Sequence, residues 1–401
     1  MVRPRMGVIG VTVAVMTTLL RAQGPQVQAP TFQVDPFWPR PLPNHWLLGS
    51  ITGVAVDAQN HVWVIHRGGV SLHARTEMGA ASNPPTAQEC CVPAPQVLRF
   101  DPAGRVAAQW GGPGEGYDWP QSPGAIAVDA KGSVWIAASG PGEPQLGGRG
   151  RGANPSAPAP ALPPSDGHVL KFSSEGRFLL QIGKPGRPAD SNSTAALRRP
   201  TAIAVDAVAG EVYVADGLDS RRIIVFDSET GDYKRHWGAY GAKPEDAEIG
   251  SHDPAAAPAR QFRAPSCVNL SKDGFVYVCD RRNNRIQVFR KDGTFVREAV
   301  VAKSTLGEGS TWSIAFSHDP QERFLYVADG SNQKVWVLER GSLNVVSTIG
   351  SGGRLAGQFY GVGSVAVDSS GNVYTGETYE GKRVQKFVFK GLGRATAKED
   401  R

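Results

Sequence analysis

One line of sequence recurs six times along this chain, and few folds can accommodate that. A short apolar strand, often closed by Asp, leads through a turn into a second strand carrying an aromatic residue. The copies are GVAVDAQNHVWVIHR from Gly53, AIAVDAKGSVWIAAS from Ala125 and AIAVDAVAGEVYVAD from Ala202, then CVNLSKDGFVYVCD from Cys267, SIAFSHDPQERFLYVAD from Ser313 and SVAVDSSGNVYTGE from Ser364. Most copies run on into a third strand such as RIIVFD, RIQVFR or KVWVLE. A fourth ends in an aromatic residue or Ile before Gly, as in AAQWGG, LLQIGK and KRHWGA. Alternation of Val, Ile, Tyr and Trp with period two suits strands packed on both faces. Each unit is a four-stranded antiparallel meander that cannot bury both faces by itself. Radial stacking buries them and leaves only short edges. The expected fold is all-β, a six-bladed β-propeller of four-stranded antiparallel blades spanning 25–390.

The sixth unit stops after its third strand near Lys390, so the missing strand has to come from elsewhere. TFQVD at Thr31–Asp35 is the candidate, closing the ring with the N-terminal end and leaving 391–401 as a flexible tail. Two inserts interrupt the rhythm between second and third strands, at 68–96 and 139–167. The latter is rich in Gly, Pro and Arg and nearly devoid of large apolar residues, so it is expected to be disordered. Its two Gly-Arg pairs carry no interleaved aromatic, as a nucleic-acid-binding segment would.

Residues 1–24 read as a secretory signal: a basic start at Met1–Arg5, an uncharged apolar run over Met6–Leu20, and small residues Ala22 and Gly24 before the cut. Its removal takes Arg3, Arg5 and Arg21 away and lowers the formal charge from +6 to +3. That is too mild and too scattered for nucleic acid. No run approaches the ~18 apolar residues of a membrane span. The expected product is a periplasmic or secreted monomer, in a compartment where cysteines pair. Cys267 and Cys279 flank a hairpin centred near Asp273 and would face each other across it. Cys90 and Cys91 are adjacent in QECCVPAP; four cysteines allow three pairings, and the sequence does not choose among them.

Candidate chemistry is sparse. The eight histidines show no H-E-x-x-H spacing. His66 and His73, with Glu77 or Cys90, are one conceivable metal or base site, weighed against chance placement on a polar loop. Glu245, Glu248, His252 and Asp253 read as solvated surface between blades three and four. Asp216, Asp280, Asp329 and Glu377 end the second strands of blades three to six. A repeated position reports architecture more often than catalysis, and Arg222 and Arg285 stand ready as partners for such carboxylates. Residues that break the repeat say more: Arg67, Arg281 and Trp312 would set two guanidiniums beside an indole, a grip for a carboxylate or a sugar-like anion, unless Trp312 serves only to fill the channel mouth. A lactonase-type calcium site would need Glu, Asn and Asp on inner strands, and Asn269 stands on a first strand with no matching Glu.

ADGLDSRRIIVF (Ala215–Phe226) and CDRRNNRIQVF (Cys279–Phe289) resemble NHL repeats. With GVAVDAQNHVWVIHRG and the order of six blades, the chain resembles the peptidyl-α-hydroxyglycine α-amidating lyase (peptidylamidoglycolate lyase) group and its bacterial relatives. That resemblance implies a zinc ion held by three histidines at the starts of alternate first strands, assisted by an arginine and a tyrosine, in a reaction that splits a carbinolamide into an amide and glyoxylate. The three histidine positions hold Gly124 or Ala125, Ser266 and Gly363, and the tyrosine position holds Leu218. The carboxylate of the group's central calcium is replaced by Ser364. Arg67 matches the arginine, and Arg281 lies at a similar rim position in blade four. Zinc is therefore not expected, no other cofactor is implied, and a structural calcium is left open. The expected function is binding of a small anionic ligand, a peptide or a partner protein on the face formed by Arg67, Leu218, Ser266, Arg281, Trp312 and Gly363. The alternative is a carbon–nitrogen lyase of that group, or a hydrolase, with a relocated metal and with Arg67 and Arg281 as the catalytic candidates.

Overall fold

The structure, a computed structural model, describes residues 28–74, 76–140, 166–187, 190–217 and 220–395. The signal segment and most of the 139–167 insert fall outside these residues, as do Leu218 and the end of the tail. Six four-stranded antiparallel sheets form the blades of a β-propeller. Their innermost strands are Ile51–Val56, Pro123–Val128, Pro200–Asp206, Pro265–Leu270, Ser313–Phe316 and Val362–Val367 in blades one to six. Each innermost strand touches those of its two neighbours, so the six form a closed ring around a channel. The few helical turns among the described residues are 3₁₀, and none is long and apolar enough to cross a membrane.

The repeat line has a packing reason. The aromatic of each second strand (Trp63, Trp135, Tyr213, Tyr277, Tyr326 or Tyr374) is fully buried. In blades one, two and six its polar edge donates to the Asp that closes the preceding strand: Trp63 Nε1 to Asp57 at 2.9 Å, Trp135 Nε1 to Asp129 at 2.9 Å and the Tyr374 hydroxyl to Asp368 at 3.0 Å. In these three blades the Asp and the aromatic satisfy each other, whereas in blade three the Tyr213 hydroxyl donates to Glu211 at 2.7 Å. Between blades lie six apolar clusters. The one joining blades three and four, for example, holds Tyr213, Trp237, Phe262, Val276 and Phe289. Burying side chains of this size contributes about 1.5–3 kcal/mol each.

Ring closure uses Gln28–Asp35 as the outer strand of blade six, antiparallel to Val384–Arg394. Pairing reaches from Gln28 opposite Arg394 to Asp35 opposite Lys386. The last blade therefore extends beyond Lys390. Residues 391–394, which the sequence suggested as the start of a flexible tail, are ladder residues because the N-terminal strand supplies partners for them. Thr31 Oγ1 adds a bond to the Gly391 carbonyl at 3.0 Å.

A disulfide joins Cys267 and Cys279, which sit opposite each other in the first two strands of blade four with Cα atoms 4.9 Å apart. Cys90 and Cys91 are joined to each other. The first insert is anchored rather than loose. Val92–Pro93 pairs in parallel with Trp46–Leu47, and Glu77 accepts from Lys382 of blade six at 2.6 Å. The described ends of the second insert are also fixed, for Asp166 is buried and accepts from the N–H groups of Gln121, Ser122 and Gly140.

Candidate functional site at the channel mouth

The blades end on one face in two sets of residues that ring the channel. The first set opens the innermost strands. In blades one, two, three, four and six the ladder register slips at this point. A slipped residue is released from pairing and turned toward the axis. These residues are Thr52, Gly124, Thr201, Ser266 and Gly363, and all five line the mouth. Trp312 takes the place in blade five, where its main-chain N–H donates to the Ala328 carbonyl at 2.9 Å. Gly330 makes room for it, since a Cβ there would lie 3.1 Å from the indole.

The second set follows the second strands. Arg67 follows His66 in blade one and Arg281 follows Asp280 in blade four, and these blades stand opposite each other in a ring of six. A third guanidinium comes from Arg199, in the loop leading into blade three. All three line one cavity of about 120 Å³ with Trp312 and Tyr379. Arg199 is aimed twice: Asp216 Oδ1 accepts its main-chain N–H at 2.9 Å, and its Nε donates to the Ser139 carbonyl at 2.8 Å. Arg281 stacks on Trp312, its guanidinium carbon 4.5 Å from the ring centre, and is held from outside by Glu308, which also accepts from Arg282 at 2.8 Å. Trp312 Nε1 donates to the Gly309 carbonyl at 2.7 Å, and its ring meets Tyr379 edge-on at 6.0 Å. Three cations from blades one, three and four therefore face an aromatic wall from blades five and six.

The carboxylates ending the second strands do not form a mouth ring; all four are fully buried clamps. Asp216 takes the N–H groups of Arg198 and Arg199 and the Arg222 guanidinium. Asp280 does the same with Arg263, Ala264 and Arg285. Glu377 accepts from Tyr360, Arg383 and Gln385. Burial pushes the Asp329 and Glu377 carboxyls above their ordinary range.

His66 occupies the same position in blade one and does the same work. Its Nδ1 accepts from the N–H groups of Gly49 at 3.1 Å and Gly68 at 3.0 Å, so the proton sits on Nε2, which meets the Pro95 carbonyl at 2.9 Å. This imidazole is spent on backbone and is not available to a metal. His73 is bonded through Nδ1 to Thr76 on the surface, and Glu77 is engaged by Lys382. The conceivable site in the first insert is thus not assembled. Burial holds the His66 pKa at about 4, below the ordinary 6.5. The unfolded chain then binds the proton that the folded chain refuses, so stability falls as pH drops from 6.5 toward 4. The full effect is about 3 kcal/mol. In His66→Gln, which keeps an acceptor, urea unfolding at pH 7 and pH 4.5 should show this part of the slope gone. An unchanged slope would reject the assignment.

Zinc does not fit the residues at the three histidine positions. A Cβ on Gly124 would stand 1.6 Å from Ser139 Oγ, the Ser266 hydroxyl is turned to the Thr311 and Trp312 carbonyls, and Gly363 offers no donor. At the calcium position Ser364 presents a single neutral oxygen, buried and without a hydrogen-bond partner. Among the described residues no three His, Cys, Asp or Glu side chains converge as metal donors.

Of the residues singled out from sequence, Arg67, Ser266, Arg281, Trp312 and Gly363 meet at the mouth, and Leu218 lies outside the described residues. Arg199 and Tyr379 were missed. A signal for Arg199 existed: its equivalents before the innermost strands are Ser50, Ser122 and Ala264, so it too departs from the repeat. Tyr379 has φ 48°, and no residue pattern announces that a bulky side chain takes that left-handed turn.

Comparison with known proteins agrees with this architecture. Residues 262–289 match the family model of the NHL repeat. The chain is 27% identical over 256 residues to peptidyl-glycine alpha-amidating monooxygenase B of Xenopus laevis, covering 63% of this chain and 24% of that protein. It thus spans about a quarter of that relative's length. To NHL repeat-containing protein 3 of Mus musculus it is 24% identical over 382 residues, 90% of this chain and 86% of that protein. A solved structure of a protein of unknown function from Bacteroides thetaiotaomicron superposes with a TM-score of 0.50 at 12% identity, over 91% of this chain and 77% of that one, a likeness of fold alone.

Proposed function

We propose that this chain is an exported NHL-repeat propeller that binds a small anionic ligand, a carboxylate foremost, at the channel mouth without zinc chemistry. The observation that carries the reading is the convergence of Arg67, Arg199 and Arg281 on one cavity walled by Trp312 and Tyr379. Guanidinium groups match carboxylates in shape and charge, and the aromatic wall favours a ligand with a flat or apolar body. Two disulfides and the basic-then-apolar start of the chain support export.

The test is calorimetric titration with citrate. Each charge-assisted contact contributes about 1.5–3 kcal/mol, so Arg67→Ala with Arg281→Ala should weaken citrate binding at least ~100-fold. Equal affinity in the double variant would sink the proposal. A second reading is favoured by the similarity to the amidating monooxygenases: a carbon–nitrogen lyase in which Arg67 and Arg281 orient the substrate carboxylate. Release of glyoxylate from an α-hydroxyglycine peptide, abolished in Arg67→Ala, would establish it in place of a binding module.

A further inference from the structure

A second cavity lies away from the mouth, and its chemistry is different. The chain between Trp237 and Pro265 leaves blade three, bows outward as an Ala- and Pro-rich loop, and returns to open blade four. Under this loop is a space of about 810 Å³, in the size range of sites for organic ligands. Its lining includes Ala256, Ala257, Pro258 and Ala259, the first three exposed, and the more buried Arg263 and Arg285, which form its floor.

The two floor arginines are provided for differently. Arg285 is fully buried and ion-paired, its Nε 2.9 Å from Asp280. Arg263 is half-buried and makes no salt bridge among the described residues. Its Nε donates to the Asn283 side-chain carbonyl at 2.8 Å and its Nη1 to the Ile249 main-chain carbonyl at 2.9 Å. Burial, opposed by Asp280, and the neighbouring guanidiniums of Arg221, Arg285 and Arg282 hold its pKa below the ordinary value. A cation half out of water, crowded by like charge and hydrogen-bonded through its guanidinium only to neutral oxygens, gains from an arriving anion. The carboxylates of Glu245, Glu248 and Asp253 border the cavity but are solvent-exposed, so they dress the opening and leave the floor positive.

We infer that this cavity is a second ligand site, separate from the mouth, which takes an amphipathic organic anion with its acidic head on Arg263 and its apolar body against the Ala256–Ala259 wall. An anion without an apolar body would forgo the wall. A neutral apolar molecule would leave Arg263 uncompensated.

The probe is 8-anilinonaphthalene-1-sulfonate, read by fluorescence titration of the full chain. Arg263→Met should weaken binding at least ~10-fold. Ala257→Glu, on the exposed loop and away from every blade core, sets a carboxylate where the apolar body should lie and should likewise weaken binding at least ~10-fold, which keeps the test decisive if Arg263→Met folds poorly. Arg67→Ala with Arg281→Ala removes only the share of the probe that the mouth takes, so binding that persists in this variant and falls when Arg263→Met is added separates this site from the mouth. Unchanged affinity in both Arg263→Met and Ala257→Glu would overturn the inference, as would complete loss of the signal in the mouth variant. Complete displacement by inorganic phosphate alone would overturn the amphipathic assignment.

Discussion

Arg222→Ala is expected to cost about 3–5 kcal/mol, the loss typical of removing one partner from a buried pair. Arg222 and Asp216 are both fully buried, with Nη2 and Nε 2.9 and 3.1 Å from the same carboxylate oxygen. The guanidinium also donates to the carbonyls of Ser191, Ser193 and Ala196, tying the loop that precedes blade three to its third strand. Truncation takes the guanidinium from Oδ2 of a buried carboxylate, whose Oδ1 keeps the Arg198 and Arg199 N–H groups, and from three carbonyls, a far larger penalty than the net value of the pair itself. Urea unfolding should show a lower midpoint with an unchanged slope. A loss below about 1 kcal/mol would mean that water or a neighbouring cation replaces Arg222. The same substitution should weaken anion binding at the mouth, because Asp216 is the group that fixes the Arg199 backbone.

Removal of residues through Asp35 is the other change of comparable size. It strips the outer strand from blade six and bares the edge of Val384–Arg394. Phe32 packs 5.7 Å from Tyr326 of blade five and 5.9 Å from Phe389, so the strand seals two blades at once. Lost burial of Phe32, Val34 and Ala29 with their ladder bonds amounts to about 3–5 kcal/mol. The open edge should also make the truncated chain self-associate, with a midpoint that depends on concentration. Phe32→Ala, which keeps the ladder, should lose stability without associating. A truncated chain as stable and as monomeric as the full one would show that closure adds nothing.

The propeller was legible because its signal is redundant. Six lines of period-two alternation, four of them closed by Asp and all six carrying an aromatic, leave one economical way to bury both sheet faces. The missing last strand pointed to the other end of the chain. Half of the mouth was legible for a related reason: Arg67, Arg281 and Trp312 stand out as exceptions to a repeat. Arg199 and Tyr379 belong to connecting segments, where no periodicity sets an expectation to break.

His66 shows the opposite difficulty. Imidazole chemistry invited a ligand reading, whereas its position makes it blade one's counterpart of the buried Asp, an acceptor for loop N–H groups. Asp166 plays that part in blade two from the far side of an insert, a substitution that no spacing rule would reveal. The sequence by itself determined the number of blades, the strand order within them and the segment that closes the ring, because alternation and strand count are local and repeated. Only the tertiary structure decided which cations share a cavity, which carboxylates are spent on backbone, and that the loop over Arg263 encloses a space. Those depend on residues far apart in the chain meeting at a bulge or a loop, where the backbone path and not the pattern sets the distance.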